Sequence, residues 1–126
     1  MRVLLTVLIL LLFVQSVNAE GLKSEAETRA ISDKIMQHFI KEDFKTGLDL
    51  AKKHWPLPEV EIEGLGVTIK TQWATVRNRF GNPTGTEFVR QQKIGKSFIR
   101  YYYLHKFENH ALFWRFTFYK PIICGR

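Results

Sequence analysis

From Ser24 to Gly81 the apolar residues of this chain recur every three or four positions, and after Gly85 they alternate and go on alternating. A 3.6-residue period gives a helix one buried face, whereas a two-residue period gives one to a strand. Helices come first and a sheet follows, which is the α+β class.

In the first part, Ser24-Glu25-Ala26-Glu27 has the form of a capping box. The serine hydroxyl and the glutamate carboxylate can each satisfy a backbone N–H at a helix start. Ala30, Ile31, Ile35, Met36, Phe39 and Ile40 then place one apolar stripe on a helix running to about Ile40. Phe44, Leu48, Ala51 and Trp55 mark a second helix, weakened by Gly47 and ended by Pro56-Leu57-Pro58. Leu65, Ile69, Trp73, Val76 and Phe80 mark a third, expected from about Val67, with Gly81 as its left-handed cap and Pro83 beyond. The alternation Val60-Glu61-Ile62-Glu63 suits a short strand ahead of it.

In the second part, Glu87–Ile94, Phe98–Lys106 and Ala111–Tyr119 are rich in β-branched and aromatic residues and read as strands. Gly95-Lys96 and Glu108-Asn109 supply the turns of an antiparallel meander. An even turn centred on Glu108-Asn109 pairs residues whose numbers sum to 217. That register collects Ile99, Tyr101, Tyr103 and His105 with Leu112, Trp114, Phe116 and Phe118 on one face, which reads as core. The other face collects Phe98, Arg100, Tyr102 and Leu104 with Phe113, Arg115, Thr117 and Tyr119. A sheet apolar on both sides is either covered twice or presents a binding surface. Three helices cannot cover both faces, so Arg100, Tyr102, Phe113, Arg115 and Tyr119 are the candidate interface and anion-binding residues. The expected occupant is a second copy, giving a homodimer through the sheet, with an anionic partner next.

The N-terminus carries Arg2, an apolar run from Val3 to Val14 and small residues up to Ala19. This layout predicts a cleavable signal peptide over residues 1–19 and export, periplasmic or secreted. Its apolar run falls short of the ~18 residues of a spanning helix, so no membrane span is expected in the mature protein. Removing 19 of 126 residues leaves 107, enough for one domain over 20–126. Cys124 is the only cysteine, which rules out an internal disulfide and leaves stability to packing.

Formal charge is +7 and is unevenly spread. Residues 20–63 hold ten carboxylates against seven Lys and Arg, whereas residues 64–126 hold only Glu87 and Glu108 against eleven Lys and Arg. Such a basic half favours anionic partners. The tyrosine run with Arg100 and Arg115 could stack on single-stranded nucleic acid, but export argues against that partner and none is expected. His38, His54, His105 and His110 lack metal-ligand spacing, so neither a metal nor a cofactor is expected. The sheet offers Glu87 without a second acid nearby, so a catalytic carboxylate pair is unsupported.

Phe80-Gly81-Asn82-Pro83-x-Gly85 leading into a sheet, with Trp114-x-Phe116-x-Phe118-Tyr119-Lys120-Pro121 on a late strand, resembles small exported bacterial domains of the nuclear transport factor 2-like superfamily. That cystatin-like, ketosteroid-isomerase-like fold packs N-terminal helices into a curved antiparallel sheet. The resemblance implies a cone-shaped cavity between helices and sheet, near which Trp73, Tyr101, Tyr103 and Trp114 are the candidate ligand-binding residues for a small apolar molecule. It also implies a turn and a final strand past Pro121, whereas the sequence stops at Ile122-Ile123-Cys124-Gly125-Arg126, so two alternatives stand: a truncated or frameshifted record, or a sheet that ends one strand short. A non-catalytic binding or interaction module is the expected function. The alternatives are an isomerase- or hydratase-type enzyme using that cavity, and a self-associating assembly protein.

Overall fold

The structure, a computed structural model, describes residues 24–120. The expected leader, Cys124 and any strand after Lys120 lie outside the described residues. Helices α1 (Glu25–Ile40), α2 (Phe44–Lys52) and α3 (Glu59–Phe80) precede strands β1 (Pro83–Ile94), β2 (Phe98–Phe107) and β3 (Ala111–Tyr119). The strands form one antiparallel sheet in the order β1-β2-β3. The helices pack against this curved, open sheet, so the α+β class holds.

Helix α1 starts as its sequence demands, with the Glu27 N–H donating to the Ser24 hydroxyl at 3.2 Å. Its buried face is Thr28, Ser32, Ile35, Met36 and Phe39, polar at the start and apolar toward the end. Helix α2 is capped by Asp43, which accepts from the Thr46 N–H at 3.3 Å. Gly47 lies where α2 meets α1, and a Cβ there would stand 2.5 Å from Cε1 of the Phe39 ring. The residue that weakens the helix locally is what lets the two helices approach. Helix α2 stops at Lys52, short of the expected stripe end, and Trp55 is exposed.

Helix α3 departs most from expectation, because Val60-Glu61-Ile62-Glu63 is its first turn rather than a strand. Glu59 and Glu61 favour the positive end of the helix. Ile62 is buried in the core, and Lys52 at the end of α2 reaches Glu59 at 3.1 Å and Glu63 at 3.9 Å. Tertiary contact therefore carries the helix through Gly64 and Gly66. At its other end Gly81 has φ 89° and ψ −158°, a region open essentially to glycine alone, rather than the left-handed helical cap expected. The chain then bonds to the β2–β3 turn, with Asn109 N–H on the Phe80 carbonyl at 2.9 Å and Asn82 N–H on Glu108 Oε1 at 2.7 Å.

Strand β3 has the expected bounds, and every β2–β3 pair from Phe98↔Tyr119 to Lys106↔Ala111 follows the expected register. Strand β1 begins at Pro83, earlier than Glu87, and joins β2 through three residues, Gly95-Lys96-Ser97, with Gly95 at φ 60°. It also carries an irregularity between Phe88 and Arg90. Val89 is the extra residue of this bulge, and one extra residue reverses the parity of the strand. Thr86 and Phe88 share the face of His105 and Tyr103, whereas beyond the bulge Arg90, Gln92 and Ile94 share that of Tyr102, Arg100 and Phe98.

Candidate functional site

The inner face of the sheet is sealed along β2, where Ile99, Tyr101, Tyr103 and His105 are buried. Tyr101 is fully buried and its hydroxyl meets Thr28 Oγ1 at 2.7 Å and donates to the Glu25 carbonyl at 3.0 Å, so the start of α1 is fixed over the middle of β2. Tyr103 donates to Asp33, which also accepts from Arg29 Nε at 3.0 Å, and the Arg29 guanidinium lies 3.3 Å from the Phe88 ring centroid. Burial, with the Asp33 carboxylate as a second cause, pushes the Tyr103 phenol well above its ordinary value. Asp33 is half exposed and paired, so it is not a base housed in a cavity.

Trp114 Nε1 donates to His105 Nδ1 at 3.2 Å, which leaves the neutral ring its proton on Nε2. His105 is fully buried between Trp73, at 5.3 Å between ring centroids, and Phe107, stacked at 4.8 Å. Burial lowers its pKa to about 4, against the pull of Glu42. The Nε2 of His105 and the Nε1 of Trp73 make no hydrogen bond of standard geometry. Burial works against ionisation of Glu42, but the indole of Trp73 and the guanidinium of Arg77, to which Glu42 is ion-paired, outweigh it and hold this carboxylate below its ordinary range. The interior is thus neutral at His105 and Tyr103, and half-buried Glu42 beside it is charged.

Of the four candidate ligand residues, Tyr101, Tyr103 and Trp73 are buried and Trp114 is half-buried against Phe39 at 4.8 Å between centroids. Their side chains fill the helix–sheet interior. A cleft of about 640 Å³ opens instead between α2 and α3, where Trp73 joins Phe44, Leu48 and Ile62 as its apolar floor, and Lys45, Asp49 and Lys70 stand among its charged lining. Trp73 is the one member of that set that lines it.

The five candidate interface residues do fall on one surface. On the outer face Phe113 is 63% exposed, Tyr119 61% and Phe98 42%. Tyr102 stands at its centre, with Phe113 edge-on at 6.1 Å, Arg90 4.7 Å over the ring and Gln92 accepting from its hydroxyl at 2.7 Å. Hydrogen bonding from Arg100 and the charge of Arg90 lower the Tyr102 pKa. Arg100 Nε donates to Thr117 Oγ1 at 3.1 Å, Arg115 is exposed, and Phe98 packs on Tyr119 at 4.9 Å. Arg90 and Ile94 also belong to this surface, with exposed Val89 beside Arg90 at the bulge, because β1 and β2 are joined by three residues and not by the two-residue turn that Gly95-Lys96 suggests. Glu87 is the carboxylate of this face, and Lys106 lies 3.5 Å from it.

No family model, curated protein or solved structure matches the chain, so the surface chemistry carries the functional reading. Among the described residues no helix is long and apolar enough to cross a membrane, and no cluster of three or more metal-ligating side chains occurs.

Proposed function

We propose that this chain is an exported, non-catalytic interaction module of nuclear transport factor 2-like type that works through the outer face of its sheet. The observation that carries the reading is a row of aromatics, exposed Phe98, Phe113 and Tyr119 around half-buried Tyr102, interleaved with exposed Arg90 and Arg115 and half-buried Arg100. Aromatic residues and arginine are the types enriched where interfaces concentrate their energy. Either a second copy or an anionic partner fits such a face.

Sedimentation over a concentration series, with and without a sulfated polysaccharide as an anionic probe, tests it. The expected result is a dimer or a probe complex that Phe113→Asp weakens. Replacing Arg90, Arg100 and Arg115 by Gln should abolish the probe complex, while replacing Lys34 and Lys70 on the helices and Lys53 just past α2 should leave it. Insensitivity to every change on the face would sink the reading and turn attention to the cleft between α2 and α3, whose volume and apolar floor suit a small apolar ligand.

A further inference from the structure

We infer that the outer sheet face docks on an anionic phospholipid surface, an inference that rests on the proposed use of this face and names its partner. The charge on the face is one-sided. Among the described residues Arg90, Arg100, Arg115 and Lys106 stand against Glu87 alone, and that carboxylate is already engaged by Lys106. A two-fold contact between copies would bring two sets of these arginines into one interface, and like charges in an interface are costly. A surface of anionic headgroups attracts all of them at once.

Apolar chemistry separates a lipid surface from other polyanions. Ile94, Phe98 and Tyr119 are successive partners across one end of the sheet, all exposed, and Lys96 and Lys120 flank them. Exposed Val89 and Ile94 have no π-face on which a nucleic-acid base could stack. At the boundary of headgroup and acyl chain, however, aliphatic and aromatic side chains are buried while arginine and lysine heads stay among the phosphates. Tyrosine is enriched at that depth. The rest of the molecule agrees in polarity, since the helical residues 25–80 hold nine carboxylates against nine Lys and Arg, whereas the sheet residues 83–120 hold two against seven. An anionic surface would therefore orient the sheet inward and the helices outward.

The test is co-sedimentation of the full chain with vesicles of phosphatidylcholine alone and of phosphatidylcholine mixed equally with phosphatidylglycerol. The N-terminal apolar segment contributes to both compositions, so the readout is the ratio of the two. At about five-fold per cation near the surface, Arg90→Gln, Arg100→Gln and Arg115→Gln together should lower that ratio by roughly a hundredfold. Phe98→Ser should lower binding to the mixed vesicles, and replacing Lys34, Lys53 and Lys70 by Gln should change the ratio far less. Salt should weaken the preference as screening shortens. Equal binding to both compositions overturns the lipid inference. If the chain then forms a dimer that Phe113→Asp breaks, or an oligonucleotide complex that the arginine changes abolish, the face remains the working surface with a different occupant. If no measurement responds to changes on the face, both readings fall.

Discussion

The two faces of this sheet are built from nearly the same residue types and meet opposite fates. Inside, Tyr101 and Tyr103 are buried and each phenol is bonded to α1. Outside, Tyr102 sits between them in sequence, bonds within the sheet to Gln92 and carries an arginine over its ring. The inner arginine, Arg29, comes from a helix and is paired with Asp33, whereas the outer Arg90 and Arg115 have aromatic or open surroundings. Aromatic content alone therefore does not mark a core; what marks it is the presence of a second layer whose polar groups match the first. Where that match is missing, the same chemistry becomes a surface able to bind.

The sharpest way to break the contrast is to truncate one tyrosine on the closed side. Tyr101→Ala should cost about 3–5 kcal/mol in denaturant unfolding, as large buried aromatic truncations do. A loss under about 1 kcal/mol would mean that α1 does not seal this face.

Acid tests the same closure through His105. Its folded pKa of about 4 lies below the ordinary value of 6.5, so the unfolded chain binds the extra proton first as pH falls. The stability tied to neutral His105 is thus complete above pH 6.5 and is lost between 6.5 and 4, by up to about 3 kcal/mol. Unfolding free energies measured over that range should fall with acid, less steeply in His105→Phe. An unchanged slope in the variant would place the proton uptake elsewhere.

Gly47→Ala probes the packing of the helices over the closed face. Alanine is favoured in a helix by about 1 kcal/mol, but its Cβ would collide with buried Phe39. A net loss of roughly 1–2 kcal/mol by thermal or denaturant unfolding is expected, since overpacking costs more than propensity returns. A gain in stability would show that Phe39 yields easily.

The smallest effect belongs to the open side. Phe113→Ser should change stability by no more than about 0.5 kcal/mol, the range of surface substitutions. A large loss would mean that the face is already covered in the folded protein.

The order of elements, the α1 and β3 boundaries, the β2–β3 register and the sorting of their residues into two faces are all legible in the sequence. The physical reason is that they depend on local period and on one short turn, and period two admits only two registers relative to the core. Arg100, Tyr102, Phe113, Arg115 and Tyr119 were identifiable for that reason. Tertiary structure decided the rest. The three-residue turn Gly95-Lys96-Ser97 put Arg90 and Ile94 on the outer face, and the bulge at Val89 then reversed the parity of β1 so that Phe88 and Thr86 face inward. The first turn of α3 became helix because Lys52 and the core could hold Glu59, Glu63 and Ile62 there, against an alternation that suits a strand. Filling of the helix–sheet interior, and the opening of a cleft between α2 and α3 instead, depend on side-chain volumes meeting from distant parts of the chain. No local pattern encodes such a fit, because packing is a property of residues brought together only by the fold.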